Sequence, residues 1–237
     1  MYFFDPSSVP YFPSLVEEAS KGFDVKIPTL AAPIFLQYKI ADYMIRSQAE
    51  QWKLFDSPYF RFSVYPANRS PQHNLLKDLS QKEPLVFYCA PAFNEYSEYV
   101  LLHQKRLIVS HSVFIPIQEL PRNVGSDKHS IVFQIKPLKG YWCSEQKEVH
   151  LIAGWESLLS IIVQFQPKMD SRDEICVRIL DHIEIVLREN EILSGKISRP
   201  DNEASSWQLI SDLLSYYFDA KIALISYEKF DPFQIGD

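Results

Sequence analysis

Asp24, Gln37 and Lys39 are the residues of this chain whose types and spacing point most directly to chemistry, with Glu17 and Glu18 a few positions upstream. The segments 23–27 and 34–40 both alternate like strands. Side chains two apart on a strand project to one face, so Gln37 and Lys39 share a side. Paired as an antiparallel hairpin through a turn near Leu30 to Ala32, the two segments set Asp24 opposite Gln37 or Lys39, and either register gathers all three on one face. Phe23, Val25, Ile27, Ile34, Leu36, Tyr38 and Ile40 then fall on the other face, with Phe35 the exception.

An acid, an amide oxygen and an ammonium in one place suit hydrolysis of a phosphodiester. The oxygens of Asp24 and Gln37 are hard ligands of the kind Mg²⁺ (or Mn²⁺) prefers. Such an ion acidifies a bound water and offsets charge on the phosphate. Lys39 is placed to orient the attacking water or to stabilise the charged transition state. Glu18, or Glu17, would hold the metal through water. Glu17 lies three after Ser14, the position of a capping-box acid, which favours Glu18 as the site acid. The plainer alternative is a solvated hairpin face on which Asp24 and Lys39 form only a cross-strand ion pair, worth under about 1 kcal/mol.

A helix carrying Glu, then an Asp, then Gln-x-Lys resembles the PD-(D/E)XK (restriction-endonuclease-like) nuclease superfamily, and in particular its Mrr-like branch, where glutamine replaces the second acid. The resemblance covers roughly residues 14–91. It implies a mixed sheet flanked by helices, metal-ligand roles for Asp24 and Gln37, the catalytic lysine role for Lys39, and the helix acid at Glu18. It also implies Mg²⁺-dependent DNA cleavage in prokaryotic defence or repair. That family's core places a three-stranded meander before its second helix, with the lysine strand last. Here one strand precedes Gln37-Tyr38-Lys39 and a further strand-like run follows it.

The elements that must carry these residues follow from periodicity. Pro13 and Ser14 open a short helix from Leu15 to about Lys21, and Gly22 ends it. Residues 42–53 look helical and 59–65 strand-like. Ser70-Pro71 has the chemistry of a helix start, with the helix running to about Leu79. The segment Asn68-Arg69-Ser70-Pro71-Gln72-His73-Asn74 combines donors with a helix N-terminus, so it is either a phosphate seat or an ordinary capped start. Arg61, Arg69, Gln72 and His73 are the candidates for contacting nucleic acid. Leu85 to Ala90 is a continuous apolar run, as in a central strand buried on both faces. A helix near 95–104 and short strands near 107–109 and 130–135 come next. From Trp155 helices dominate, and residues 173–193 carry Ile175, Ile179, Ile183 and Val186 at helical spacing.

The expected fold class is therefore α/β. Residues 1–150 are expected to form a nuclease-like core with extensions, and residues 151–237 a helical C-terminal region packed on it, as two units or as one domain. With 24 basic against 30 acidic residues the net charge is −6, so binding of DNA rests on a local basic site rather than on bulk charge. Cys89, Cys143 and Cys176 are too scattered for a zinc site or a disulfide framework and read as buried thiols. No apolar stretch approaches transmembrane length, and the N-terminus lacks the pattern of a signal peptide, so a cytoplasmic protein with no membrane partner is expected. The C-terminal helices could also hold a second subunit. The competing functional reading is a non-catalytic nuclease-fold subunit or interaction protein of a larger complex.

Overall fold

A computed structural model of the chain describes residues 31–164, 172–200 and 202–226. Glu17, Glu18 and Asp24, with the expected first helix and first strand, lie outside the described residues. The described chain is a mixed α/β structure with two five-stranded sheets.

The first sheet has the order β10-β1-β4-β5-β9, from β1 (Ala31–Tyr38), β4 (Val86–Pro91), β5 (Ser112–Pro116), β9 (Ile152–Ala153) and β10 (Lys221–Ser226). Only β1 and β4 run parallel; the other neighbours are antiparallel. The expected hairpin that set Asp24 opposite Gln37 or Lys39 is corrected here: Ala31 and Ala32, expected in its turn, lie within β1, and the two edges of β1 are paired with β10 and β4. The apolar run at 85–90 does form the central strand, with Val86 to Ala90 buried on both faces. The second sheet is antiparallel throughout, in the order β2-β3-β6-β7-β8. Its strands are β2 (Asp42–Met44), β3 (Tyr59–Val64), β6 (His129–Ile135), β7 (Leu138–Trp142) and β8 (Lys147–Glu148). The strand-like run after Lys39 thus belongs to a different sheet, and within the first sheet the next strand along the chain after β1 is β4.

Five α-helices are described: α1 (Gln72–Ser80), α2 (Tyr96–Gln104), α3 (Gly154–Gln164), α4 (Arg172–Glu189) and α5 (Glu203–Leu213). α1 buries Leu75, Leu76 and Leu79, which lie on one face at helical spacing. They meet Phe62, Phe133 and Trp142 of the second sheet, Phe35 and Tyr88 of the first, and the Ile175–Ile179–Ile183–Val186 row of α4 in one large core. That α4 row is therefore spent inside the chain. Ile34, Phe87, Phe114 and Ile152 point to the other side of the first sheet and pack on Leu158 and Ile162 of α3.

Three expectations are corrected. Residues 42–53 are not a helix: 42–44 form β2 along β3, with Tyr43 on Phe60 at 4.8 Å, and only Trp52–Leu54 make a single 3₁₀ turn. Residues 42–50 bury only Ala49 and Met44 in part, so no apolar stripe exists to hold a helix there, and strand pairing decides the conformation. The strand expected near 107–109 begins at Ser112, after a 3₁₀ turn at Val109–His111. The helical region after Trp155 also returns a strand, β10, to the edge of the first sheet beside β1. The three cysteines are free, Cys89 and Cys176 buried, and burial pushes the Cys89 thiol up to about 12. No helix among the described residues is long and apolar enough to cross a membrane.

Candidate functional site

A small polar cleft opens where the two sheets meet, lined by Gln37, Lys39, Val64, Tyr65, Ser70, Gln72, His73 and Tyr88. Each element delivers its residues by a simple geometric rule. The period of two along β1 sends Phe35 and Gln37 to the same side, and Lys39 continues that side just past the strand end. Its backbone N–H extends the parallel ladder to the Cys89 carbonyl at 2.8 Å. Val64 and Tyr65 end β3, and Gln72 and His73 open α1, so the N-terminus of that helix borders the cleft. The Ser70 hydroxyl accepts from the Gln72 N–H at 3.4 Å.

The face shared by Gln37 and Lys39 is not a solvated one, which corrects the sorting of β1. Phe35 is fully buried and Gln37 is 1% exposed, whereas Tyr38 and Ile40, placed by alternation on the apolar face, are 48% and 92% exposed. Phe35 ceases to be an exception: its side of β1 faces the large core, and the cleft is a polar notch at the end of that core.

Gln37 carries the most constrained polar group here. Its Nε2 donates to the Phe218 carbonyl at 3.3 Å and to the Asp219 carboxylate at 3.1 Å. Its Oε1 is buried with no hydrogen-bond partner among the described residues. A buried amide oxygen left without a donor is unfavourable by roughly 1–3 kcal/mol. Its lone pairs are open to a donor, the one interaction the described residues leave unmade at this side chain. Among the described residues no group of three or more His, Cys, Asp or Glu side chains is arranged to hold a metal.

The Lys39 amine is half-buried above the Tyr88 ring, 5.1 Å from its centroid. Burial pulls its pKa below the usual lysine value, and the negative charge of Asp219 pulls it partway back. Tyr88 is itself fully buried, and its hydroxyl lies 2.7 Å from His73 Nδ1. His73 Nε2 is 2.8 Å from the Pro121 carbonyl oxygen, which can only accept, so the ring proton is on Nε2 and Nδ1 accepts from Tyr88. Asn74 and Asn123 fix that loop by reciprocal bonds of 2.8 and 2.9 Å. Burial depresses the His73 pKa to about 4, with the Pro121 bond opposing the shift and nearby Lys77, His129 and Lys39 adding to it.

The residues expected to contact nucleic acid separate accordingly. Gln72 lines the cleft. Arg69 does not line the cleft, but its guanidinium lies 4.8 Å from the ring centroid of Tyr65, which does. His73 is at the cleft, but both of its ring nitrogens are committed within the chain, so it supports the wall and is not available to grip a phosphate. Arg61 does not line the cleft: alternation along β3 turns it away from buried Phe60 and Phe62, and it pairs with Asp42 at 3.6 Å. Two contributors were missed. A tyrosine inside the apolar run 85–90 is a signal that could have been followed, because a buried phenol needs a partner. Asp219 carries no such signal, since it meets Gln37 only through β10.

Comparison of the chain with protein-family models, with curated proteins and with solved structures finds no match.

Proposed function

We propose that this chain is a metal-dependent DNA endonuclease on a restriction-endonuclease-like fold, acting in prokaryotic defence or repair. The observation that carries the reading is the meeting of Gln37 and Lys39 with the N-terminus of α1 in one cleft, with the Gln37 oxygen buried and lacking a donor. The mixed sheet that carries β1, with α1 and α3 packed on its two sides, is compatible with that fold class.

In this reading Gln37, with Asp24 and Glu18 from the N-terminal segment, would hold Mg²⁺ or Mn²⁺. The ion, when bound, acidifies a water and offsets phosphate charge. Lys39, held over the Tyr88 ring, orients that water or donates to the phosphate oxygens. The N-terminus of α1, with Gln72 and Arg69, holds the adjoining phosphate.

The test is cleavage of single- and double-stranded DNA by purified protein in Mg²⁺, Mn²⁺ or EDTA, compared with Lys39→Ala and Asp24→Asn. Each substitution should lower metal-dependent cleavage by about a hundredfold or more, as for loss of one electrostatic stabiliser. Equal cleavage by all three proteins overturns the assignment. An inactive but folded wild type across metals and substrates replaces it with the non-catalytic subunit.

A further inference from the structure

Of the nine residues of α2 only Leu102 is buried. A helix this short is marginal in water by itself and depends on packing of an apolar face. Here the apolar face looks outward. Tyr96, Tyr99, Val100 and His103 follow the i, i+3, i+4, i+7 spacing of one helix stripe, turned away from the side that carries Leu102. Tyr96 is 80% exposed, Tyr99 and Leu101 are exposed as well, and Leu107 and Val109 continue the exposed apolar surface beyond the helix end. The ring centroid of Tyr99 lies 6.4, 6.2 and 5.8 Å from those of Phe93, Tyr96 and His103. Rings already resting on one another lose little further freedom when a partner covers them. The apolar row of α4, by contrast, is consumed inside the core.

The charges of this segment are sorted by end. Glu95 and Glu98 stand at the start of α2, and Lys105 and Arg106 follow its last residue directly. None of the four belongs to an ion pair among the described residues. The basic end is fixed by a helix-closing motif: the Leu107 N–H donates to the Leu102 carbonyl at 2.8 Å and the Arg106 N–H to the His103 carbonyl at 3.0 Å, with Arg106 at φ 56°. A helix that is acidic at one end and basic at the other complements a copy of itself running the opposite way. A parallel copy would set like charges together.

We propose that the outward stripe of α2 is the contact surface of a two-fold homodimer, in which α2 packs antiparallel on the α2 of a second copy. The proposal is independent of the chemistry assigned to the cleft. Nine residues at helical rise give a contact about 14 Å long. That is small beside a standard interface of about 20–30 residues a side, so the dimer should be weak and concentration-dependent.

The test is sedimentation equilibrium of the full chain from about 1 to 500 µM, a range that brackets a micromolar dissociation constant. Five proteins are compared: wild type, Tyr96→Glu, Tyr96→Ala, a basic-ended variant (Glu95→Lys with Glu98→Lys) and an acidic-ended variant (Lys105→Glu with Arg106→Glu). Wild type should dimerise, and Tyr96→Glu should weaken the dimer at least tenfold, with Tyr96→Ala between them. Each charge-reversed variant alone should be weaker than wild type, and their equimolar mixture should associate at least tenfold more tightly than either alone. Wild type that stays monomeric throughout overturns the proposal. A dimer untouched by both Tyr96 substitutions uses another surface and overturns it too. A mixture no tighter than its components rejects antiparallel pairing of two copies. Circular dichroism checks that the charge variants keep their helix content; if either loses it, the two Tyr96 variants, altered only at an exposed ring, decide the outcome.

Discussion

His73 shows how one buried side chain links the cleft wall to solution pH. The ring is 3% exposed, and it stays neutral because burial removes the hydration an imidazolium needs. Its pKa falls from 6.5 to about 4 on folding. Between those values the unfolded chain binds a proton at this residue and the folded chain does not. Stability is therefore complete above 6.5 and is lost as the pH drops toward 4. The interval corresponds to roughly 3 kcal/mol. Urea midpoints of wild type and His73→Gln, measured from pH 7 to pH 4, should diverge, with wild type the more acid-sensitive. Parallel curves would mean that His73 protonates without disturbing the wall. The Tyr88 hydroxyl, which donates to this ring, fixes the phenol over which Lys39 stands, so the protonation state of His73 and the seat of Lys39 are mechanically connected.

At the scale of elements, the positions of Gln37 and Lys39 depend on strands and helices that are stabilised elsewhere. β1 is held between β4 and β10, and β10 is reached only through α5 and its closing turn. The Asn202 side chain caps α5 by accepting from the Ser205 N–H at 2.9 Å. Asn202→Ala should destabilise the protein by about 1 kcal/mol, and Asn202→Asp should not, since a carboxylate accepts the same bond and favours a helix N-terminus. Thermal or urea unfolding of the three proteins decides this. Equal losses for both variants would show that the capping bond contributes nothing.

Over the whole molecule, the last described strand completes the sheet that carries the site. Phe218 is fully buried in the large core, and its carbonyl is one of the two acceptors for Gln37. Phe218→Ala should cost about 3–5 kcal/mol, the usual range for truncating a large buried aromatic. A loss below about 1 kcal/mol in equilibrium denaturation would show that the C-terminal turn is not integral to the core. Glu83, 3% exposed in the turn between α1 and β4, adds a second tie across the molecule by accepting from Arg178 and His182 of α4 at 3.3 and 2.8 Å. The residues after 150 thus serve both faces of the first sheet, with β9 and β10 at its two edges and α3 covering one side.

What the sequence by itself determined is local and periodic. The two-residue spacing was enough to send Gln37 and Lys39 into one cleft, because strand geometry makes that spacing a shared face. The unbroken apolar run at 85–90 was enough for a central strand, and Ser70-Pro71 for the start of a helix that opens at the cleft. Tertiary structure decided the remainder. Whether the Gln37 face of β1 met water or core depended on the second sheet and α4, which lie far along the chain and leave no trace in the local pattern. Arg61 and His73 looked like equivalent cation or donor candidates. Strand alternation turned Arg61 away from the cleft, while Tyr88 and Pro121 consumed both nitrogens of His73. Asp219 acquired a role only because β10 pairs with β1, a contact spanning 182 residues. Periodicity reports which face a residue occupies, but the occupant opposite that face is chosen by long-range packing.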